Sequence, residues 1–278
     1  MNMNKLIITV APTGSIPTKK DNPYVPIRPD EIIQTGIKCE KAGASIIHIH
    51  ARHPVDETPS TDFELFKEIY QGLKHETNLI IQISTGGRAG MEYDKRSERL
   101  SLKSEMASLT TGSVNFPSSV YANSPDLIKA LAKDMKIYGI KPEIEVFDIS
   151  MVQNALDLVN QDLISQPLHF NFVMGLKGAI PATIENLLHL KNCIPHGSTW
   201  TTAGIGASQL SMCTHAILMG GHVRVGLEDC IHFHRGETAS NEQLVKRIVQ
   251  VSSLLGRKIA TPGEARKILN LNTVVFDK

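Results

Sequence analysis

The sequence predicts an α/β fold of one kind, a single (β/α)8 TIM barrel, and three observations carry that expectation. Short apolar runs alternate about eight times with longer amphipathic stretches, and no linker or shift in composition interrupts them. The 278-residue length suits one such barrel, which typically needs about 250 residues. The rival, a doubly wound open sheet, should carry a glycine fingerprint after its first strand; that turn here reads Ala11-Pro12-Thr13-Gly14-Ser15-Ile16 and carries none. The expected organisation is one barrel domain over 1–278 with a short C-terminal helical extension.

In chain order, Leu6–Val10 is the first strand, a run of apolar and β-branched residues ending at a Pro/Gly turn. Pro29–Ala42 reads as a helix because Arg28-Pro29-Asp30-Glu31 places proline and acids in a first turn. Ser45–Ala51 is the second strand, Thr61–His75 a helix, and Leu79–Ser84 and Met106–Gly112 the third and fourth strands. Ser124-Pro125-Asp126 starts the helix Pro125–Tyr138. Glu143–Asp148 and Leu168–Met174 are the fifth and sixth strands, and Ile180-Pro181 opens Pro181–Asn192. Ser198–Ala203, the helix Ser208–Met219, the strand His222–Gly226 and the helix Asn241–Leu255 complete the pattern.

Composition excludes several classes of function. Lys and Arg total 29 against 28 Asp and Glu, so there is no basic surplus to attract nucleic acid or an acidic membrane surface. The apolar runs fall well short of the roughly 20 residues that cross a bilayer. Met1 to Val10 has no signal-peptide pattern. Cys39, Cys193, Cys213 and Cys230 are scattered without a CxxC pair, which fits four ordinary thiols in a reducing compartment. A soluble cytoplasmic protein is expected. No GxxxxGK[ST] loop or Ser-centred elbow is present.

Barrel enzymes do their chemistry at the C-terminal ends of the strands, so polar residues there are the candidates. Alternation puts His48 and His50 on one face of the second strand, about 7 Å apart, and two such imidazoles can reach one metal. They could equally be core histidines satisfied by carbonyls. After the eighth strand, Glu228 is the natural third ligand. Two histidines and a carboxylate suit Zn²⁺ with an open position, and would accept Fe²⁺ or Mn²⁺. Asp229 beside it reads as a free base and Arg224 as an anion clamp, or the three form an ordinary charge-balanced group. His232-Phe233-His234, just beyond, reads as loop. Ser84-Thr85-Gly86-Gly87 could cradle a carboxylate with backbone N–H groups, and Thr201-Thr202-Ala203-Gly204-Ile205-Gly206 would let a ligand approach the backbone. Glu143 and Glu145 share an inward face, where an acid is destabilising unless paired or working, and Arg224 is a partner for Glu145.

Together the motifs resemble the β-keto acid cleavage enzymes. They are Thr13-Gly14-Ser15, His48-Ile49-His50, Gln82-Ile83-Ser84-Thr85-Gly86-Gly87, Pro142-Glu143-Ile144-Glu145-Val146 and the run from Gly220 to Asp229. The likeness continues through Ser240-Asn241-Glu242-Gln243-Leu244-Val245 and the run from Ala260 to Arg266. It implies a zinc-dependent acyltransferase that converts a β-keto acid and acetyl-CoA to acetoacetate and a new acyl-CoA. It also implies a homo-oligomer, a tetramer by family habit. His48, His50 and Glu228 match the family's metal ligands. Ser84, Gly87 and Ser108 match positions that hold the keto acid, with Ser108 standing where the family has Thr. Arg224, Asp229 and Glu145 match its polar catalytic cluster. One position departs. Members that cleave 3-keto-5-aminohexanoate carry a Glu for the substrate's amino group where this chain has Ile16. A buried isoleucine cannot pair an ammonium, so the expected substrate has an uncharged tail. Lys19 and Lys20 could instead greet an acidic tail or CoA phosphates, or simply be solvated. The rival readings are a metal-dependent aldolase or hydrolase of a keto acid, and a metal-dependent binding protein without turnover.

Overall fold

The computed structural model describes residues 4–87 and 92–271. Eight parallel strands close into a barrel. They are β1 (Ile8–Val10), β2 (Ile46–Ile49), β3 (Ile80–Ile83), β4 (Met106–Thr110), β5 (Lys141–Val146), β6 (His169–Met174), β7 (Thr199–Gly204) and β8 (His222–Val225). Around the barrel the order is β1-β8-β7-β6-β5-β4-β3-β2, with β2 pairing back onto β1. The helices between them are α1 (Pro29–Ala42), α2 (Phe63–Glu76), α3 (Tyr93–Ser97, continued by a 3₁₀ turn over Glu98–Leu102), α4 (Pro125–Tyr138), α5 (Ser150–Asn160), α6 (Ile184–Cys193), α7 (Gln209–Leu218) and α8 (Asn241–Leu254). A last helix, α9 (Pro262–Ile268), follows.

Of the expected helix starts, Pro29 and Ser124 open α1 and α4, whereas Ile180-Pro181 lies before α6, which begins at Ile184 because Thr183 caps it by accepting from the Asn186 N–H. Ser124 accepts from the Leu127 N–H at the start of α4, and Ser240 and Gln243 form a reciprocal cap on α8. Thr261 and Glu264 do the same for α9, with Pro262 in its first turn.

Alternation along the strands separates two cores. Ile47 and Ile49 face outward into the large core beneath the helices. Ile46 belongs to a second cluster at the N-terminal end of the barrel, with Ile7, Ile80, Met106 and the α9-side residues Ala265 and Leu269. This apolar plug is the floor. Arg266 of α9 pins it, pairing with Glu105 and donating to the Asn78 and Leu79 carbonyls. Above the floor the interior turns polar. Glu143 lies 3.3 Å from His169 and accepts from Asn171, all fully buried. The barrel interior therefore passes from hydrocarbon at the floor to polar groups toward the C-terminal mouth.

Three short antiparallel hairpins stand on the C-terminal side of strands β2, β4 and β8, pairing Ala51–Arg52 with Pro59–Ser60, Val114–Phe116 with Ser119–Tyr121, and His232–His234 with Glu237–Thr238. His232 and His234 are thus exposed strand residues of a hairpin. The four cysteines are free thiols, three of them buried. Among the described residues no helix is long and apolar enough to cross a membrane. Arg88, which followed the Gly86-Gly87 pair in the sequence, lies outside the described residues.

Candidate active site

The mouth is built from strand ends and the turns just past them. Gly226 makes the turn after β8 at φ +146, and a Cβ there would lie 2.0 Å from the Ala11 carbonyl oxygen, so only glycine permits this approach. The turn brings Glu228 and Asp229 back over Arg224. The guanidinium donates through Nε and Nη2 to both Asp229 oxygens at 2.8 and 2.9 Å, and through Nη2 to Glu228 Oε1 at 2.7 Å. Its Nη1 faces Glu145 Oε1 at 3.7 Å, while Thr110 donates to the other Glu145 oxygen at 2.7 Å. Asp229, read from the sequence as a base, is thus held by one cation in a two-point grip.

His48 and His50 do share one face, and their Nε2 atoms sit 3.2 Å apart. The β2–β3 register sets Gln82 beside His48, and Gln82 Oε1 accepts from His48 Nδ1 at 2.6 Å. That bond assigns the ring proton to Nδ1 and leaves the Nε2 lone pair free. Ser15 Oγ lies 3.2 Å from His50 Nδ1, within hydrogen-bond reach of the second ring on the side away from His48. Glu228 Oε1 is 3.5 Å from His50 Nε2. The ligand atoms of His48, His50 and Glu228 fall within 4.8 Å of one another, the one such group among the described residues. Glu228 Oε2 is buried without a hydrogen-bond partner. Two ring nitrogens facing one point beside an unpaired carboxylate oxygen fit a divalent cation of the zinc type.

Charge balance says the same. A single guanidinium faces three carboxylates. Burial works against ionisation of Glu228, but Arg224 and the two histidines outweigh it and hold this carboxyl well below its usual range. The other two acids are left short of positive charge. Burial pushes Asp229 up to about 6 despite Arg224, and Glu145 up to about 7. Burial also pushes His48 down to about 4, which keeps the ring neutral as a metal ligand requires.

Next to this cluster is a cavity of about 150 Å³. Its polar side is Ser15, His50, Ser84, Gly86, Gly87, Glu145, Arg224, Glu228 and Asp229. Its other wall is apolar: Phe116, Tyr121, Phe147, Val173, Leu176 and Ile205, with Ile16 at the edge. Four expectations change here. Ile16 is 61 % exposed, because the loop turns at Gly14 (φ +62) and carries it out to the rim instead of burying it. Ser108 does not line the cavity; its Oγ accepts from the Thr85 N–H and its carbonyl from the Thr85 hydroxyl, so it braces the Ser84–Gly87 turn from behind. The Gly86 N–H is already taken by Ser84 Oγ, and Gly204 makes room for Ser208, whose carbonyl oxygen would lie 2.5 Å from a Cβ, rather than for a ligand.

Over residues 5–271 the chain matches the family model described as beta-keto acid cleavage enzyme. The chain belongs to the β-keto acid cleavage enzyme family. The expectation of an acyltransferase-type enzyme stands with that membership. It is 44 % identical over 276 residues to the 3-oxoadipate:acetyl-CoA acetyltransferase of Cupriavidus necator, covering 98 % of this chain and 96 % of that protein. It is 44 % identical over 272 residues to the 3-keto-5-aminohexanoate cleavage enzyme of Fusobacterium nucleatum, covering 97 % and 99 %. The solved structure of ObcA without ligand superposes with a TM-score of 0.78 at 21 % identity, over 90 % of this chain and 66 % of ObcA, which supports the barrel fold alone.

Within this β-keto acid cleavage enzyme, several site residues escaped sequence reasoning. Gln82 could have been found, since it is a polar residue at an inward position of an otherwise apolar strand. The aromatic trio Phe116, Tyr121 and Phe147, with ring centroids 6.1 to 6.4 Å apart, comes from a hairpin and a strand end that no local pattern links to the site.

Proposed function

We propose that this protein is a zinc-dependent acyltransferase that takes a β-keto acid with an uncharged tail and acetyl-CoA, and yields acetoacetate and the acyl-CoA of that tail. The single observation that carries the reading is the juxtaposition of the His48, His50 and Glu228 donor set with an Arg224–Asp229 pair at the edge of an apolar cavity.

When bound, the metal would polarise the keto and carboxylate oxygens of the substrate and stabilise negative charge at the α carbon. The chain's own groups do the rest. Ser84 and Gly87 line the side where the carboxylate is held. Asp229 takes the α proton; its raised pKa makes it a stronger base than an exposed aspartate, and Arg224 fixes the direction of its lone pairs. Glu145, anchored by Thr110, keeps Arg224 in place from its other end. The α carbon then attacks the acetyl-CoA thioester and expels the CoA thiolate. The thiolate attacks the original keto carbon, whose bond to the α carbon breaks. The proton held on Asp229 returns to that carbon, and acetoacetate and acyl-CoA leave. We propose further that the enzyme works in the cytoplasm as a homo-oligomer, a tetramer by family resemblance.

Tail selection follows from the cavity wall. The aromatic side of the cavity offers no counter-charge, so desolvating an ammonium or carboxylate against it costs several kcal/mol, while Ile16 adds an apolar contact at the rim. Lys19 already pairs with Glu31 and is not at leave to meet an acidic tail. The test is a mass-spectrometric assay of zinc-loaded protein with acetyl-CoA and β-keto acids carrying neutral, amino or carboxyl tails. Acetoacetate and new acyl-CoA are expected from neutral tails first. Efficient turnover of the amino-tailed acid would refute the tail assignment, and keto acid cleavage without CoA would point to an aldolase or hydrolase. In the same assay Asp229→Asn should slow turnover by about 10²- to 10⁴-fold with zinc still bound.

A further inference from the structure

Arg52 continues the inward face of His48 and His50 by the same two-residue period, yet it meets neither the metal donors nor the cavity. It is 2 % exposed, and the hydrogen bonds of its guanidinium run to three backbone carbonyls. Nε donates to Glu57 at 2.6 Å, and Nη1 donates to Gly14 and Pro17 at 3.1 Å each. A buried cation with carbonyls for partners is a poor device for stability, because an apolar side chain of similar volume would avoid its desolvation. What arginine uniquely offers is a rigid planar fork that holds several acceptors at fixed angles.

The segment it holds is Gly14–Pro17, which touches the site at three points. Gly14 sits so close to Glu228 that a Cβ there would lie 2.5 Å from the glutamate's Cγ. Ser15 Oγ lies 3.2 Å from His50 Nδ1, within hydrogen-bond reach of that ring. Ile16 stands at the cavity mouth. We propose that Arg52 is a positioning residue that makes one rigid unit of His50, Glu228 and residue 16, so that metal affinity and tail selection depend on the same fork. This inference rests on the metal-centre reading above.

A natural reference exists at the other end of the barrel. Arg257 is also buried and also spends its guanidinium on carbonyls, those of Asn4, Ile217, Gly220 and Gly221, far from the mouth. The experiment compares Arg52→Lys, which keeps the charge and loses the fork, with Arg257→Lys. The readouts are Zn²⁺ affinity of the metal-free protein in competition with a chromophoric chelator, melting temperature, and kcat/KM for neutral- and amino-tailed acids. Arg52→Lys should weaken Zn²⁺ by about 10- to 100-fold, the usual cost of losing support behind a ligand, and narrow the preference between the two tails. Arg257→Lys should lower the melting temperature and move neither quantity. Unchanged Zn²⁺ affinity in Arg52→Lys, or equal weakening in Arg257→Lys, overturns the proposal. Wild-type protein that binds no Zn²⁺ would instead overturn the metal reading, before any variant is compared. Should Arg52→Lys not fold, Ser15→Ala removes only the hydroxyl on His50. It should weaken Zn²⁺ about tenfold, and unchanged affinity would sink the coupling through this loop.

Discussion

The two ends of the barrel solve opposite problems. At the floor, hydrocarbon from Ile7, Ile46, Ile80 and Met106 packs against α9, Arg266 pairs with Glu105, and the buried Arg257 guanidinium has backbone carbonyls for partners. At the mouth, one guanidinium serves three carboxylates, and Glu228 Oε2, Arg224 Nη1 and Gln82 Nε2 are buried without hydrogen-bond partners. Such orphaned groups cost stability, on the order of 1–3 kcal/mol each. Cohesion resides at the floor and in the outer core, which hold the barrel closed, so an electrostatic shortfall that a cation and a substrate can fill is tolerated at the mouth.

The largest effect that could break this contrast is at the metal donors. Glu228→Gln preserves shape but removes the anionic ligand, and turnover should fall about 10²- to 10³-fold or more, with Zn²⁺ affinity falling alongside. Full turnover in that variant would show that the mouth's negative charge is not there for a cation. Next comes the floor. Leu269→Ala deletes a fully buried side chain, 1 % exposed, and should cost about 2–5 kcal/mol of stability while kcat/KM stays at the wild-type value. A kinetic defect at unchanged metal content would mean that the two ends are coupled.

The smallest effect concerns pH. Glu145 faces Arg224, Thr110 and Tyr121, with Glu143 and Glu228 adding like charge, and its pKa rises from 4.5 to about 7 on folding. Between those values the folded protein keeps a proton that the unfolded chain has lost. This carboxyl therefore contributes stability that declines as pH rises through the window. Buried His48 and His222, whose pKa values drop on folding, work in the opposite direction, so the readout is the difference between two proteins: the melting temperature of metal-free wild type relative to Glu145→Gln should fall between pH 4.5 and about 7. An identical slope in the variant would remove Glu145 from the set of frustrated groups.

The barrel was legible from the chain alone, since the alternation of runs and the helix starts at Pro29 and Ser124 are local signals that the structure repeats. That His48 and His50 share a face was legible too, because a strand's period of two needs no tertiary knowledge. Arg224, Glu228 and Asp229 meet for a similar reason: one tight turn joins them, and Gly226 marks it. What tertiary structure alone decided is everything that crosses strands. Gln82 supports His48 because β2 and β3 pair in one particular register. Glu228 reaches His50 because the β1 loop lies between β8 and β2 and Gly14 leaves it room. The same closure put Ser108 behind the site, Ile16 on the rim and Arg52 beneath the loop. Periodicity tells which face a side chain takes; only the register and closure of the sheet tell which distant side chains share that face.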